Sequence, residues 1–109
     1  MKNFTKKNIK MGILSKLFGG GRKERVIQLM VEGAVIIDVR TPGEFKGGHI
    51  KGSKNIPLPE LRSSVAKIKA LKKPIIVCCA SGMRSAQAKT ILGKEGIQVE
   101  NGGAWRSLQ

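Results

Sequence analysis

Two short apolar runs constrain this chain more than anything else in it. Ala34-Val-Ile-Ile-Asp-Val39 and Ile75-Ile-Val-Cys78 are rich in β-branched residues. Each is short and apolar on both sides of a period-two alternation, the pattern of a strand covered on both faces. The stretches around them read as helices. Val26, Ile27, Met30 and Val31 follow helical spacing, with Gly33 as a stop. Thr41-Pro42 predicts the N-cap and first position of a short helical turn. Leu61, Val65, Ile68 and Leu71 share one face of an amphipathic helix begun by Pro59 and ended by Pro74, and Arg62, Lys67, Lys69, Lys72 and Lys73 lie opposite. Residues 85 to 95 predict a helix, with Ser85 as a possible cap and Gly96 as its stop, and residues 97 to 99 a last short strand. Asn101-Gly102-Gly103 then reads as a turn leading to Ala104-Trp105. Strands alternating with helices imply an α/β fold: a small central parallel sheet flanked by helices on both faces. In such sheets active sites lie at the carboxyl ends of the strands.

With 109 residues the chain is long enough for one domain and not for two. Its charge is uneven. The net is +14, and residues 1–25 hold eight basic side chains (Lys2, Lys6, Lys7, Lys10, Lys16, Arg22, Lys23, Arg25) against Glu24 alone. Residues 1–21 are therefore expected to form a basic, flexible tail, hinged at Gly19-Gly20-Gly21, and residues 22–109 the folded domain. Ile13, Leu14, Leu17 and Phe18 fall on one face of a short helix within that tail. So basic a field attracts anions, but no aromatic or glycine-rich RNA-binding motif accompanies it, which argues against a nucleic-acid partner. No stretch approaches the ~18 apolar residues of a transmembrane span. The two cysteines, Cys78 and Cys79, are adjacent. Neighbouring Cα atoms stand ~3.8 Å apart, whereas a disulfide prefers ~5.5–6 Å. Free thiols point to a reducing compartment, and the cytoplasm is the expected location.

Chemistry is concentrated at the end of the second run, in Cys79-Ala80-Ser81-Gly82-Met83-Arg84-Ser85. A tight loop opening a helix turns backbone N–H groups inward, the helix N-terminus adds a partial positive charge, and Arg84 adds a full one. A thiol at the centre of that field is stabilised as its thiolate and needs no histidine base. Gly82 lets the backbone turn close to the sulfur. Two registers fit. Four residues separate Cys79 from Arg84, the spacing of sulfur transfer; five separate Cys78 from Arg84, the spacing of a phosphatase or arsenate reductase, whose loop must surround a tetrahedral oxyanion.

Three blocks in order carry a family resemblance: Val35-Ile-Ile-Asp38-Val-Arg40-Thr-Pro-Gly-Glu44-Phe; Gly48-His49-Ile50-Lys-Gly52-Ser-Lys-Asn55-Ile56-Pro57; and Cys79-Ala-Ser-Gly82-Met-Arg84-Ser85. Together with the closing Asn101-Gly-Gly-Ala-Trp105, they resemble the rhodanese (thiosulfate sulfurtransferase) family over roughly residues 22–109. The resemblance implies a rhodanese-like parallel sheet of about four to five strands. It also implies a single-domain sulfurtransferase in which Cys79 carries sulfane sulfur as a persulfide. The substrate loop would be Ala80, Ser81, Gly82, Met83, Arg84 and Ser85, with neither metal nor cofactor. Asp38, Arg40 and Cys78 are supporting residues: Asp38 is expected to cap loop amides, Arg40 to pair with Glu44, and Cys78 to pack in the core. His49 reads as a hydrogen-bonded loop histidine rather than a base, and Trp105 as a packing residue. The alternatives are a phosphatase-like enzyme of the same fold using Cys78, or a non-catalytic module keeping the fold as a docking surface.

The sequence departs from the family pattern in one respect. Many thiosulfate-using members carry a charged or large polar residue directly after the cysteine, where this chain has Ala80, and Met83 is apolar too. Such a rim suits a polysulfide or a persulfide on another protein better than thiosulfate. The expected acceptors are cyanide, a small thiol, an acidic sulfur-carrier protein or a thioredoxin-like protein.

Overall fold

A computed structural model describes residues 21–109. The expected tail therefore lies outside the described residues, apart from Gly21, which caps the first helix. The elements follow in the order α1 (Arg22–Val31), β1 (Val35–Asp38), α2 (Pro42–Lys46), β2 (Lys54–Asn55), two 3₁₀ turns (Leu58–Glu60 and Arg62–Ser64), α3 (Val65–Ala70), β3 (Ile75–Cys79), α4 (Met83–Lys94), β4 (Val99–Ala104) and a closing 3₁₀ turn (Trp105–Leu108). The four strands form one parallel sheet in the order β2-β1-β3-β4. All five β3 residues, Ile75 to Cys79, are fully buried. A central strand covered on both faces is what its unbroken apolar run predicts.

Strand alternation divides the core in two. Ile37, Val39, Ile75, Val77 and Cys79 face Leu61, Ile68, Ala88 and Leu92, which come from the 58–70 segment and α4. Ile36, Ile76 and Cys78 face the other way, toward Val26 and Leu29 of α1 and toward Trp105 and Leu108. Each fully buried Ile or Leu contributes on the order of 1.5–3 kcal/mol relative to exposure.

Three elements differ from expectation. The helix predicted between Leu61 and Leu71 is broken into 3₁₀ turns followed by the six-residue α3. The Ser63 and Ser64 hydroxyls both donate to the Glu60 carbonyl, at 2.9 and 3.0 Å. This is the side-chain competition with helical bonding that makes serine a poor helix former. The apolar positions nevertheless reach the core, with Leu61 and Ile68 buried. Second, α4 begins at Met83, two residues before the expected start. Its N-cap is Gly82 in a left-handed conformation (φ 98°), so Ser85 is an interior residue and not a cap.

Third, the last strand is not 97–99 but Val99–Ala104, and Asn101-Gly102-Gly103 is part of it rather than a turn. Gly103 supplies a left-handed backbone (φ 78°) and Gly102 a close approach. A Cβ on Gly102 would stand 2.9 Å from Ile76 Cγ2 and 3.0 Å from Leu108 Cδ1. The register against β3 slips here, Val77 lying opposite Asn101 but Cys78 opposite Gly103. A bulge of this kind re-aims the side chains beside it.

Candidate functional site

The carboxyl ends of β1, β3 and β4 meet the N-terminus of α4. Cys79 is the last residue of β3, and Ala80-Ser81-Gly82 carries the chain from strand to helix. The Cys79 Sγ lies inside a cage of donors. The Gly82 N–H donates to it at 3.0 Å and the Ser85 N–H at 3.3 Å, and the Ser85 Oγ is 3.3 Å away. Burial alone pushes this thiol up. The Ser85 hydroxyl and the Ser85, Ser81 and Gly82 amides outweigh burial and hold it below its usual range. Of the expected cradle, Gly82 and Ser85 bond the sulfur directly. The side chains of Ala80, Ser81 and Met83 are exposed at the rim.

Behind the cage stands Asn101, a residue that sequence reasoning assigned to a turn. Its Oδ1 accepts from the Ser85 Oγ–H at 2.7 Å and from the Gly103 N–H at 2.8 Å, and its Nδ2 donates to the Gly82 carbonyl at 3.2 Å. One buried amide thus ties β4 to the end of the loop at Gly82 and to the first turn of α4 at Ser85. A serine hydroxyl carries a single proton. With Cys79 as a thiol, Ser85 can accept from S–H and donate to Asn101. With a thiolate, the hydroxyl can turn to donate to sulfur while Gly103 still satisfies Asn101. The only trace of this in the sequence is an asparagine beside two glycines.

Cys78 has a different environment. It packs between Ile36, Ile76, Val26 and Leu29 on the opposite face of the sheet. Burial, helped by the Asp38 carboxylate and opposed by Arg40, pushes its thiol up to about 12. Both cysteines are free.

The supporting residues are arranged differently from expectation. Arg40 does not pair with the Glu44 carboxylate. It forks onto Asp38 instead, its Nη2 reaching Oδ2 at 2.7 Å and its Nε lying 2.9 and 3.0 Å from the two oxygens. Both side chains are almost fully buried. Asp38 caps one loop amide, that of Arg40 itself, at 3.0 Å. The Arg40 guanidinium also donates to the Gly48 and Glu44 carbonyls and stacks over Trp105 at 4.7 Å, which ties the 41–48 loop to the sheet. The Glu44 carboxylate goes to Arg84, in two contacts of 2.8 and 3.0 Å. His49 Nδ1 bonds to the Phe45 carbonyl at 2.8 Å and the ring stacks on Phe45.

Beside the loop, a groove of about 1230 Å³ runs between α1 and the start of α4 and includes Ser81 and Gly82 in its wall. Ile27, Met30, Val31 and Met83 line it, and they are also the exposed large apolar side chains among the described residues. Arg22 and Lys23 line it as well. Among the described residues no group of three or more His, Cys, Asp or Glu side chains is placed to hold a metal ion, and no helix is long and apolar enough to cross a membrane.

Comparison with known proteins converges on one family. Residues 23–104 match the rhodanese-like domain. The chain is 44% identical over 63 residues to the uncharacterized protein YqhL of Bacillus subtilis, covering 58% of this chain and about half (49%) of that one. It is 38% identical over 74 residues to the thiosulfate sulfurtransferase PspE of Escherichia coli, covering 66% and 71%. Among solved structures, the human single-domain sulfurtransferase TSTD1 superposes with a TM-score of 0.62 at 31% identity, over 77% of this chain and 88% of that one. With its four-stranded parallel sheet and its cysteine loop at the end of β3, the chain belongs to the rhodanese-like domain family.

Proposed function

We propose that the protein is a single-domain sulfurtransferase that carries sulfane sulfur on Cys79. The observation that carries this reading is the donor cage around the Cys79 Sγ, which favours an anionic sulfur at that point without a general base. In the loading step the thiolate attacks the outer sulfur of a donor and forms an S–S bond. The bond from that sulfur to the rest of the donor breaks, and its electron pair leaves with the donor. Thiosulfate would leave as sulfite, a polysulfide as the polysulfide one sulfur shorter, and a protein persulfide as the protein thiolate. The Cys79 persulfide then yields its outer sulfur to cyanide, a thiol or an acidic sulfur-carrier or thioredoxin-like protein, regenerating the thiolate.

The apolar groove beside the loop supports a protein as one of the two sulfur-exchange partners, since contiguous exposed apolar surface marks an interaction site. The phosphatase alternative finds no such support, because the side chain of Cys78 lies on the other side of the sheet from the loop cage. Thiocyanate formation from cyanide, with thiosulfate and with polysulfide as donors, tests the proposal. Turnover with either donor, alongside no release of phosphate from aryl phosphates, is the expected result. Phosphate release without thiocyanate would overturn it.

A further inference from the structure

The loop's own guanidinium is not free to meet a substrate. Arg84, in the first turn of α4, is gripped by both oxygens of Glu44 on α2, forty residues earlier in the chain. Glu44 is itself held in place. Its Oε1 accepts from the Thr41 N–H and Oγ–H, both at 3.1 Å, and its own N–H donates to the Thr41 Oγ at 3.2 Å. This capping box holds the carboxylate independently of Arg84. Two-point pairing fixes the guanidinium plane and leaves both side chains about one-third exposed. The Arg84–Glu44 pair therefore adds no net charge to the mouth of the site. What remains at the sulfur is the set of amides and the hydroxyl already bonded to Cys79, a cradle suited to one negative charge.

Donors differ in the charge they bring. Thiosulfate enters as a dianion and must leave as the sulfite dianion. A hydropolysulfide or a cysteine persulfide brings a single charge and leaves with one. We propose that Glu44 is a specificity-determining residue: by neutralising Arg84 it biases the site toward singly charged persulfide and polysulfide donors and against thiosulfate. It acts through Arg84 and does not touch the reacting sulfur. The inference rests on the sulfur-transfer reading above and adds to it which class of donor the site selects.

Two measurements on Glu44→Gln test it. The first is kcat/KM for thiosulfate divided by kcat/KM for polysulfide, with cyanide as the common acceptor. Releasing Arg84 should raise this ratio about tenfold at low salt, and the gain should shrink as KCl is added. The second needs no turnover: calorimetric titration of thiosulfate into Cys79→Ser and into Cys79→Ser/Glu44→Gln, with tighter binding expected in the double variant. A ratio within twofold of wild type, or an equal fall with both donors, would overturn the proposal. Should Glu44→Gln fail to fold, Arg84→Gln leaves the carboxylate unpaired at the mouth and should lower the ratio; an unchanged ratio would again overturn it. A protein that transfers sulfur from neither donor would sink the sulfurtransferase reading. The calorimetric arm would then decide this inference alone, unchanged thiosulfate binding counting against it.

Discussion

The two faces of β3 place adjacent cysteines in opposite chemical worlds. Cys79 points toward α4, where amides and a hydroxyl converge on its sulfur and hold its thiol down. Cys78 points toward α1, among Ile36, Ile76, Val26 and Leu29, where burial pushes its thiol up to about 12. Both side chains are closed to solvent, and burial disfavours the thiolate on either face, more strongly at Cys78. What outweighs it at Cys79 is the supply of donors. A helix N-terminus preceded by a tight glycine turn provides them on one face; packed aliphatic side chains cannot provide them on the other. Strand geometry, with its period of two, turns a one-residue shift along the chain into a change of face and of reactivity.

Substitutions can break this comparison, and the largest effect is expected at the sulfur itself. Cys79→Ser should lower thiocyanate formation by about a thousandfold or more, as loss of a nucleophile does, while Cys78→Ala should cost no more than about 1–2 kcal/mol of stability on the scale of ordinary core truncations. Activity assays paired with urea denaturation check both. Comparable activity losses in the two variants would erase the distinction between the faces.

Next comes Asn101→Ala. It removes the acceptor of Ser85 and Gly103 and the donor to the Gly82 carbonyl. The expected cost is about 1–3 kcal/mol, typical of leaving buried polar groups unpaired, together with slower alkylation of Cys79. Ser85→Ala sharpens the comparison further. Removing its hydroxyl should raise the Cys79 thiol, moving the iodoacetamide rate profile of Cys79 to higher pH and leaving Cys78 unreactive. A profile that does not move would mean that the amides alone set the acidity of Cys79.

The smallest effect concerns the rim. Arg84, with the Thr41 backbone N–H adding to it, lowers the Glu44 carboxyl to about 2. A carboxylate with a depressed folded-state pKa stabilises the fold above its unfolded value, near 4.5, and loses that contribution as pH falls toward 2. Because the pair is partly exposed, the gain is modest and screened by salt. Wild type should therefore melt slightly above Glu44→Gln at pH 6, and the gap should close between pH 4.5 and 2. A gap independent of pH would assign the difference to packing.

Much of this arrangement was legible in the residues. The runs 34–39 and 75–78 identify the central strands because strands buried on both faces read as unbroken β-branched sequence. Thr41-Pro42 marks a helix start, and Thr41 is indeed the N-cap of α2. What escaped depends on tertiary contacts. Asn101-Gly102-Gly103 carries turn composition, yet these residues pair with β3 as a strand, and the glycine at 102 reflects the close approach of Ile76 and Leu108. The choice between Asp38 and Glu44 as the partner of Arg40 turns on where α4 places Arg84, forty residues downstream of Glu44. The break in the predicted 61–71 helix follows from serine hydroxyls, whose preference for the Glu60 carbonyl no apolar periodicity records.

Intact-mass spectrometry tests the central claim most directly. Wild type, Cys79→Ser and Cys78→Ser would each be incubated briefly with polysulfide or thiosulfate, desalted and weighed before and after cyanide. The account predicts the gain of one sulfur atom, reversed by cyanide, in wild type and Cys78→Ser and its absence in Cys79→Ser. A gain retained in Cys79→Ser and lost in Cys78→Ser would contradict it, placing the reactive sulfur on the opposite face of the sheet.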